Sequence, residues 1–380
     1  MTSPVTNGAI AEPGSPPGHG SGGSFQVRTV GYDRLTPDEI AAWSDMQRGN
    51  PSLGSPYFRP EFTQAVADVR GDVEVAVLEQ DGAVVGFLPF QRGRRNVGRP
   101  VAGLLSDFHG VIAVEGFVCS PVELVRGCGL SAWHFDDLLS EQTAFAPHAW
   151  RSFDSPYIDL PRGIDAYIEE QPNGRRIMSE YRQKKRKLAR EVGEVRFETH
   201  VADSKVLSTF LQWKGAQFRE SGLANIFDLE WVRNLLDRIL EFSGESFAPM
   251  LSVAYAGDTI AAINFGMRSA TVLHPWFPTY NAELSRYSTG TMHMIELMYA
   301  AEPLGIRRID LGKGPEPYKR RLMNGARDVM EGCVELRPGV GQLRSAWRTT
   351  REAVRRSPLY RVARGPARLV KQIAKRKELE

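Results

Sequence analysis

The stretch SRYSTGTMHMIELMYAAEPLG (285–305) joins a small polar turn to an apolar run of helical period, with no charge in its first turn. The first N–H groups of any helix lack internal partners, and the helix dipole makes that end partly positive. Ser288, Thr289 and Thr291 bring hydroxyls to this end, and Gly290 lets another group come close to the backbone. Two readings are open: an ordinary Ser/Thr cap on a core helix, or a cradle for a phosphate or pyrophosphate. Downstream, in DLGKGPEPYKRR, Asp310 ends a β-rich run, and Glu316, Tyr318 and Lys319 stand on the loop after it. Other chemistries lack their motifs. G-x-S-x-G, H-E-x-x-H and G-x-x-x-x-G-K-[ST] are all missing, and the seven histidines form no cluster in sequence. Cys119, Cys128 and Cys333 contain no C-x-x-C, which suits a reducing cytoplasm and argues against a disulfide framework or a metal site.

These residues must be positioned by a fold, and 380 residues are enough for two domains and a sizeable core. With 42% hydrophobic and 24% charged residues the chain reads as globular, and no run of eighteen apolar residues marks a membrane span. Residues 1–24 read as a disordered Gly/Pro/Ser leader, not a signal peptide. The net charge of +3 hides a segregation: residues 336–380 hold 13 Lys/Arg against three Glu, so the rest of the chain is net acidic. A second basic cluster, 175–190, holds eight Lys/Arg and one Glu.

A strand at FQVRTVGYDRL is followed by a helix at TPDEIAAWSDMQ, where Thr36 and Glu39 have capping-box spacing. A helix at RPEFTQAVADVRG and two strands around Asp81-Gly82, a strong hairpin signal, come next. Further strands are expected at SDFHGVIAV, AWHFDDLL and WRSFDSPYIDL, with a short helix near SPVELVRGCG. The second half repeats the plan, with helices over 165–193, 204–222 and 229–244, a three-strand meander over 250–280, the helix after Tyr287, and strands at RRIDLG and ARDVMEGCVEL. The hairpins EQDGAVVGFLPF and YAGDTIAAINFG lie about 176 residues apart, which makes a duplicated α/β unit the preferred reading.

Residues 150–335 resemble the GNAT acyltransferase fold, and within it the CelD/BcsL group of GNAT-like proteins, related to the FemAB transferases. The resemblance is carried by RRIMSEYRQKKRKLAR, FLQWKGAQF, AYAGDTIAAINFG, RYSTG and IDLGKGPEPYKRRL. One departure is Thr289, where that group usually has proline. The resemblance implies an α/β (α+β) fold of tandem GNAT-like units, with mixed, mostly antiparallel sheets flanked by helices. Residues 25–150 would be a degenerate first unit, 151–335 the acyltransferase domain and 336–380 a basic amphipathic tail.

It also implies acyl-CoA (acetyl-CoA) as co-substrate, no metal, and a pyrophosphate held by Ser288, Thr289, Gly290 and Thr291. In such folds the strand before the cofactor helix splays from its neighbour and admits the thioester there. Pro275 and Pro278 in LHPWFPTY agree with that splay, though an ordinary edge strand would tolerate them too. Tyr280 would donate to the departing thiolate or simply pack. Asp310 would be the general base or hold the glycine turn. Tyr318 is a further catalytic candidate. Lys319 would meet the cofactor phosphates or an acidic acceptor, unless it is a solvated lysine among Arg320 and Arg321. Lys214 is carried over as a substrate-binding residue against the alternative of a snorkelling lysine.

The cluster at 175–190 reads as a solvated face, a patch for an anionic acceptor such as a phosphorylated lipid carrier or polysaccharide, or an RNA contact. In the tail, Leu343, Trp347 and Val354 form one stripe amid arginines, which resembles a helix resting on anionic lipid; a disordered basic tail reads as well. The expectation is an N- or O-acyltransferase of bacterial polysaccharide, cellulose or envelope biosynthesis, at the cytoplasmic face of the membrane. Its acceptor would be a small molecule or a glycan- or lipid-linked group. The rivals are FemAB-like aminoacyl transfer from tRNA and a non-catalytic scaffold.

Overall fold

The computed structural model describes residues 24–314 and 316–341, so most of the expected leader, the tail from 342 onward and Pro315 lie outside the described residues. The chain opens with β1 (Gln26–Gly31) and α1 (Pro37–Gly49), whose start is the expected capping box: Thr36 Oγ1 accepts from Glu39 N, and Glu39 accepts from Thr36 N. After α2 (Pro60–Val69), β2 (Val73–Gln80) and β3 (Ala83–Gly93) close on Asp81 and Gly82. Both turn residues have positive φ, the geometry that fits the twist of paired strands. Two short strands then occur, β4 (Val97–Arg99) and β5 (Ile112–Ala113). They precede α3 (Pro121–Gly127), β6 (Ala132–Leu139) and β7 (Ala149–Asp159).

The second half contains α4 (Gly163–Glu170), the basic α5 (Gly174–Glu191), β8 (Val195–Glu198), α6 (Ser204–Glu220) and α7 (Glu230–Leu240). The meander is β9 (Phe247–Ala256), β10 (Thr259–Ser269) and β11 (Val272–Tyr280). It leads to α8 (Thr289–Ala301), β12 (Arg308–Asp310), α9 (Pro317–Leu322) and β13 (Gly325–Glu335). Among the described residues no helix is long and apolar enough to cross a membrane.

Among the described residues thirteen strands form one mostly antiparallel sheet. Its order is β1-β2-β3-β4-β6-β13-β7-β12-β11-β10-β9-β8, with β5 on β3. The last strand, β13, lies between β6 and β7 and pairs with both. One sheet therefore runs through both halves, and one core spans them. Val75 and Val77 of β2 join Trp43, Phe62, Phe210, Leu235, Leu251 and Val253 beneath α1, α2, α6 and α7. Their neighbours Ala76 and Leu78 turn to a core under α3, and Met250 to one under α4, α5 and α8, so these cores occupy the opposite face.

Candidate functional site

In α8 Met292 to Met298 are all buried, so the body of the helix is largely enclosed and its start faces the cleft. That start is not capped in the ordinary way. Ser288 sits in the left-handed region (φ 55°, ψ 46°), accepts no bond from the first turn, and no acidic residue stands there. Its hydroxyl instead accepts from Lys184 Nζ of α5 at 2.5 Å. A cation beside the positive end of a helix dipole is unfavourable unless an anion joins it. The arrangement therefore suits an anion, and it draws the basic helix into the site. None of the three readings of the 175–190 cluster ties it to this turn; the signal is Lys184, on the same helix as the buried Tyr181 and Leu188 that dock α5 on the core.

The strand leading to this helix splays from its neighbour. β11 pairs with β12 only at Val272–Arg308 and Leu273–Ile309, while it stays paired with β10 as far as Tyr280–Ala262. The edge from His274 to Tyr280 is thus open toward β12, and Pro275 and Pro278 lie in that open segment. The β10–β11 register also slips between Phe265 and Met267, opposite Pro275 and Trp276.

A cleft of about 750 Å³ fills this gap. It brings together Lys214, Tyr280, Ser288, Thr289, Gly290, Thr291, Tyr318 and Lys319, scattered over more than 100 residues of sequence. A Cβ on Gly290 would stand 3.3 Å from the Tyr280 ring, so strand end and helix start are in contact. Lys214 reaches in from α6 and donates to Pro278 O at 2.9 Å; burial pulls its ammonium down to about 8. Lys319 is not a solvated lysine. It is buried, its Nζ donates to Gly312 O and Lys313 O at 3.1 Å, and Glu316 Oε2 lies 3.1 Å away. Burial pushes the Tyr318 phenol up, so it stays protonated.

Asp310 is not brought to the cleft wall. It is buried at the end of β12, paired in register with Tyr157, and burial raises its carboxyl against the opposing charges of His274, Arg327 and Arg308. A carboxylate that does line the cleft, with Glu220 and Glu316, is Asp107, delivered by the loop between residues 105 and 112. Its Oδ2 lies 2.9 Å from His274 Nε2. Burial would raise Asp107, but the bond and charge of His274, with Lys319 and Lys313, outweigh it and hold the group below the usual carboxylate range. The same loop anchors the splayed strand, since Leu105 O accepts from Trp276 Nε1 at 2.8 Å. From β6, Asp136 and Asp137 bind Lys313 Nζ at 2.7 and 2.8 Å. Nothing in the spacing of Asp107 points to this site, because it is 167 residues from His274.

Residues 175–320 match the family model of the acetyltransferase (GNAT) domain. No curated protein matches the chain. Among solved structures the chain is similar to FemX, at 10% identity and a TM-score of 0.52, covering 80% of this chain and 96% of that one. It is also similar to the C-terminal domain named for a lysylphosphatidylglycerol synthetase of Agrobacterium fabrum, at 14% identity and a TM-score of 0.50, covering 81% and 94%. A tandem GNAT protein from the clavulanic acid biosynthesis pathway has 11% identity and a TM-score of 0.48, covering 83% and 100%. At such identities the first two likenesses are of fold alone. The match over residues 175–320 supports an acyltransferase, and the fold of the described residues is GNAT-like.

Proposed function

We propose that the chain transfers an acyl group from acyl-CoA to an amine or hydroxyl acceptor. The observation that carries this is the β11–β12 split running into an α8 start with neither a side-chain cap nor an acidic residue. A thioester with a long arm and a pyrophosphate fits such a track, and the unpaired hydroxyl of buried Thr289 marks the phosphate end. Bound there, acyl-CoA supplies an activated acyl carbon. The N–H groups of residues 289–291 and the Lys184 ammonium hold the pyrophosphate, and Tyr280 closes over Gly290 near the arm. At the reacting end Asp107 takes the acceptor's proton, with His274 orienting it. Asp310, the base expected from sequence, stands behind this pair and steadies His274. Tyr318 is the proton donor to the departing thiolate on this reading, and Lys214 binds the acceptor. Lys319 supplies a fixed positive charge at the reacting end instead of reaching the phosphates, because its partners are Gly312, Lys313 and Glu316.

The finer setting follows the resemblance to the CelD/BcsL group: tandem GNAT-like units divided near residue 150, working on a glycan- or lipid-linked acceptor in polysaccharide, cellulose or envelope biosynthesis. The basic tail would rest on anionic lipid at the inner face of the membrane. A second reading, aminoacyl transfer from tRNA, is favoured by the exposed Arg175, Arg176, Arg182, Arg186 and Lys187 on α5. Free-thiol release from a panel of acyl-CoAs with candidate amines and sugars tests the choice, alongside transfer from aminoacyl-tRNA and sedimentation with anionic vesicles. Thiol release is the expected result. Turnover with aminoacyl-tRNA alone would favour the second reading, and none with either would leave a scaffold.

A further inference from the structure

The cleft wall holds polar groups that the fold leaves unsatisfied. Asn264 of β10 is fully buried, yet neither its Nδ2 nor its Oδ1 has a hydrogen-bond partner. The buried hydroxyls of Thr279 and Thr289 are in the same state, and all three residues line the cleft. Burying an unpaired amide in the middle of a sheet is costly, and sequences avoid it unless something else is gained.

Position indicates what that is. Asn264 lies opposite Pro278 across β10–β11, beside the register slip at Phe265/Met267, and opposite Ser252 across β9–β10. Ser252 Oγ bonds His293 Nε2 of α8 at 2.8 Å, so this row of side chains faces α8, the side on which Tyr280 meets Gly290. Two residues on along β10, Gly266 keeps the backbone strands close. A Cβ on Gly266 would come within 2.7 Å of His274 O and 3.0 Å of Asn264 Nδ2. The amide therefore sits beneath the open edge of β11, on a central strand that fixes it.

Resting on the acyl-CoA reading, we propose that Asn264 Nδ2 donates a hydrogen bond to the thioester carbonyl oxygen and is a catalytic residue. As the bond from the acyl carbon to the acceptor forms, the carbon–sulfur bond breaks. The acceptor's proton goes to Asp107, sulfur leaves with the electron pair, and charge builds on the carbonyl oxygen. Asn264 transfers no proton. A neutral donor already fixed in a buried wall stabilises that charge without reorganising, and an unpaired amide in the free protein is the signature of such a device. Thr279 serves polar groups of the arm, and Thr289 the phosphate end.

The test needs no acceptor, only acetyl-CoA and CoA, which differ by the acetyl group that bears the carbonyl in question. The parent should bind acetyl-CoA more tightly than CoA by roughly three- to tenfold, the worth of one hydrogen bond. Asn264→Leu, and Asn264→Ala should leucine fit poorly, should remove that preference while CoA affinity stays near the parent's. With no ligand, Asn264→Leu should raise the melting temperature, because an unpaired amide gives way to an apolar group. A merely structural asparagine would lower it. Retained preference for acetyl-CoA, or a lower ligand-free melting temperature in both variants, overturns the assignment of Asn264 and leaves the acyl-CoA reading standing. Failure of the parent to bind either compound overturns that reading, and this one with it.

Discussion

Asp107 and Asp310 show how burial and neighbours assign different work to two carboxylates a few residues' width apart. Asp107 keeps 29% of its side-chain surface open and is held ionised by His274 and two lysines, so it is available as a proton acceptor at neutral pH. Asp310 is 4% exposed and raised by burial, so a substrate has no route to it. Asp107→Asn should lower kcat by about 10² to 10⁴, the usual worth of a general base, with acyl-CoA Kd nearly unchanged. Asp310→Asn should keep kcat within a few-fold and act on melting temperature instead. Steady-state rates and melting curves of both variants check this, and loss of kcat in Asp310→Asn alone would exchange the two roles. Sequence pointed to Asp310 because it alone of the two is close in the chain to the other loop residues, whereas the cleft lining contains Asp107.

At the scale of elements, legibility followed locality. The Thr36 capping box, the Asp81-Gly82 hairpin and the β9–β11 meander are each encoded within a few residues, and each forms where the sequence places it. The position of α8 was legible too, from a polar turn entering an apolar run. The short strands β4 and β8, three and four residues long, carry too few side chains for a periodic signal. The insertion of β13 between β6 and β7 is a pairing over nearly 200 residues, which no local pattern specifies. Of the two readings of this turn, the ordinary Ser/Thr cap does not form: Ser288 takes positive φ and its hydroxyl accepts from Lys184 of α5, a partner 104 residues away.

Across the whole molecule, the first half is part of the site and not only a neighbour of it. It supplies Asp107, the Leu105 carbonyl that holds Trp276, and the Asp136–Asp137 pair that ties down Lys313. The first half should also be acid-sensitive where His109 packs. His109 is buried there without a partner on either ring nitrogen, against the Trp133 ring, and burial with the nearby Lys313 charge pulls it down to about 3 from 6.5. The folded state thus refuses a proton that the unfolded chain accepts. The protein should lose stability as pH falls from about 6.5 toward 3. His109→Phe should flatten that slope in denaturant titrations between pH 7 and 4.5; an unchanged slope would assign the acid sensitivity elsewhere.

The central claim is that acyl-CoA lies in the β11–β12 split with its pyrophosphate on the first turn of α8. Calorimetric titration of the parent and of Gly290→Val with acetyl-CoA addresses it most directly, because the added side chain enters between that turn and Tyr280 while leaving the enclosed body of the helix alone. The account predicts binding to the parent, a Kd raised more than about tenfold in Gly290→Val, and a melting temperature close to the parent's. A folded Gly290→Val that binds acetyl-CoA as the parent does would contradict it.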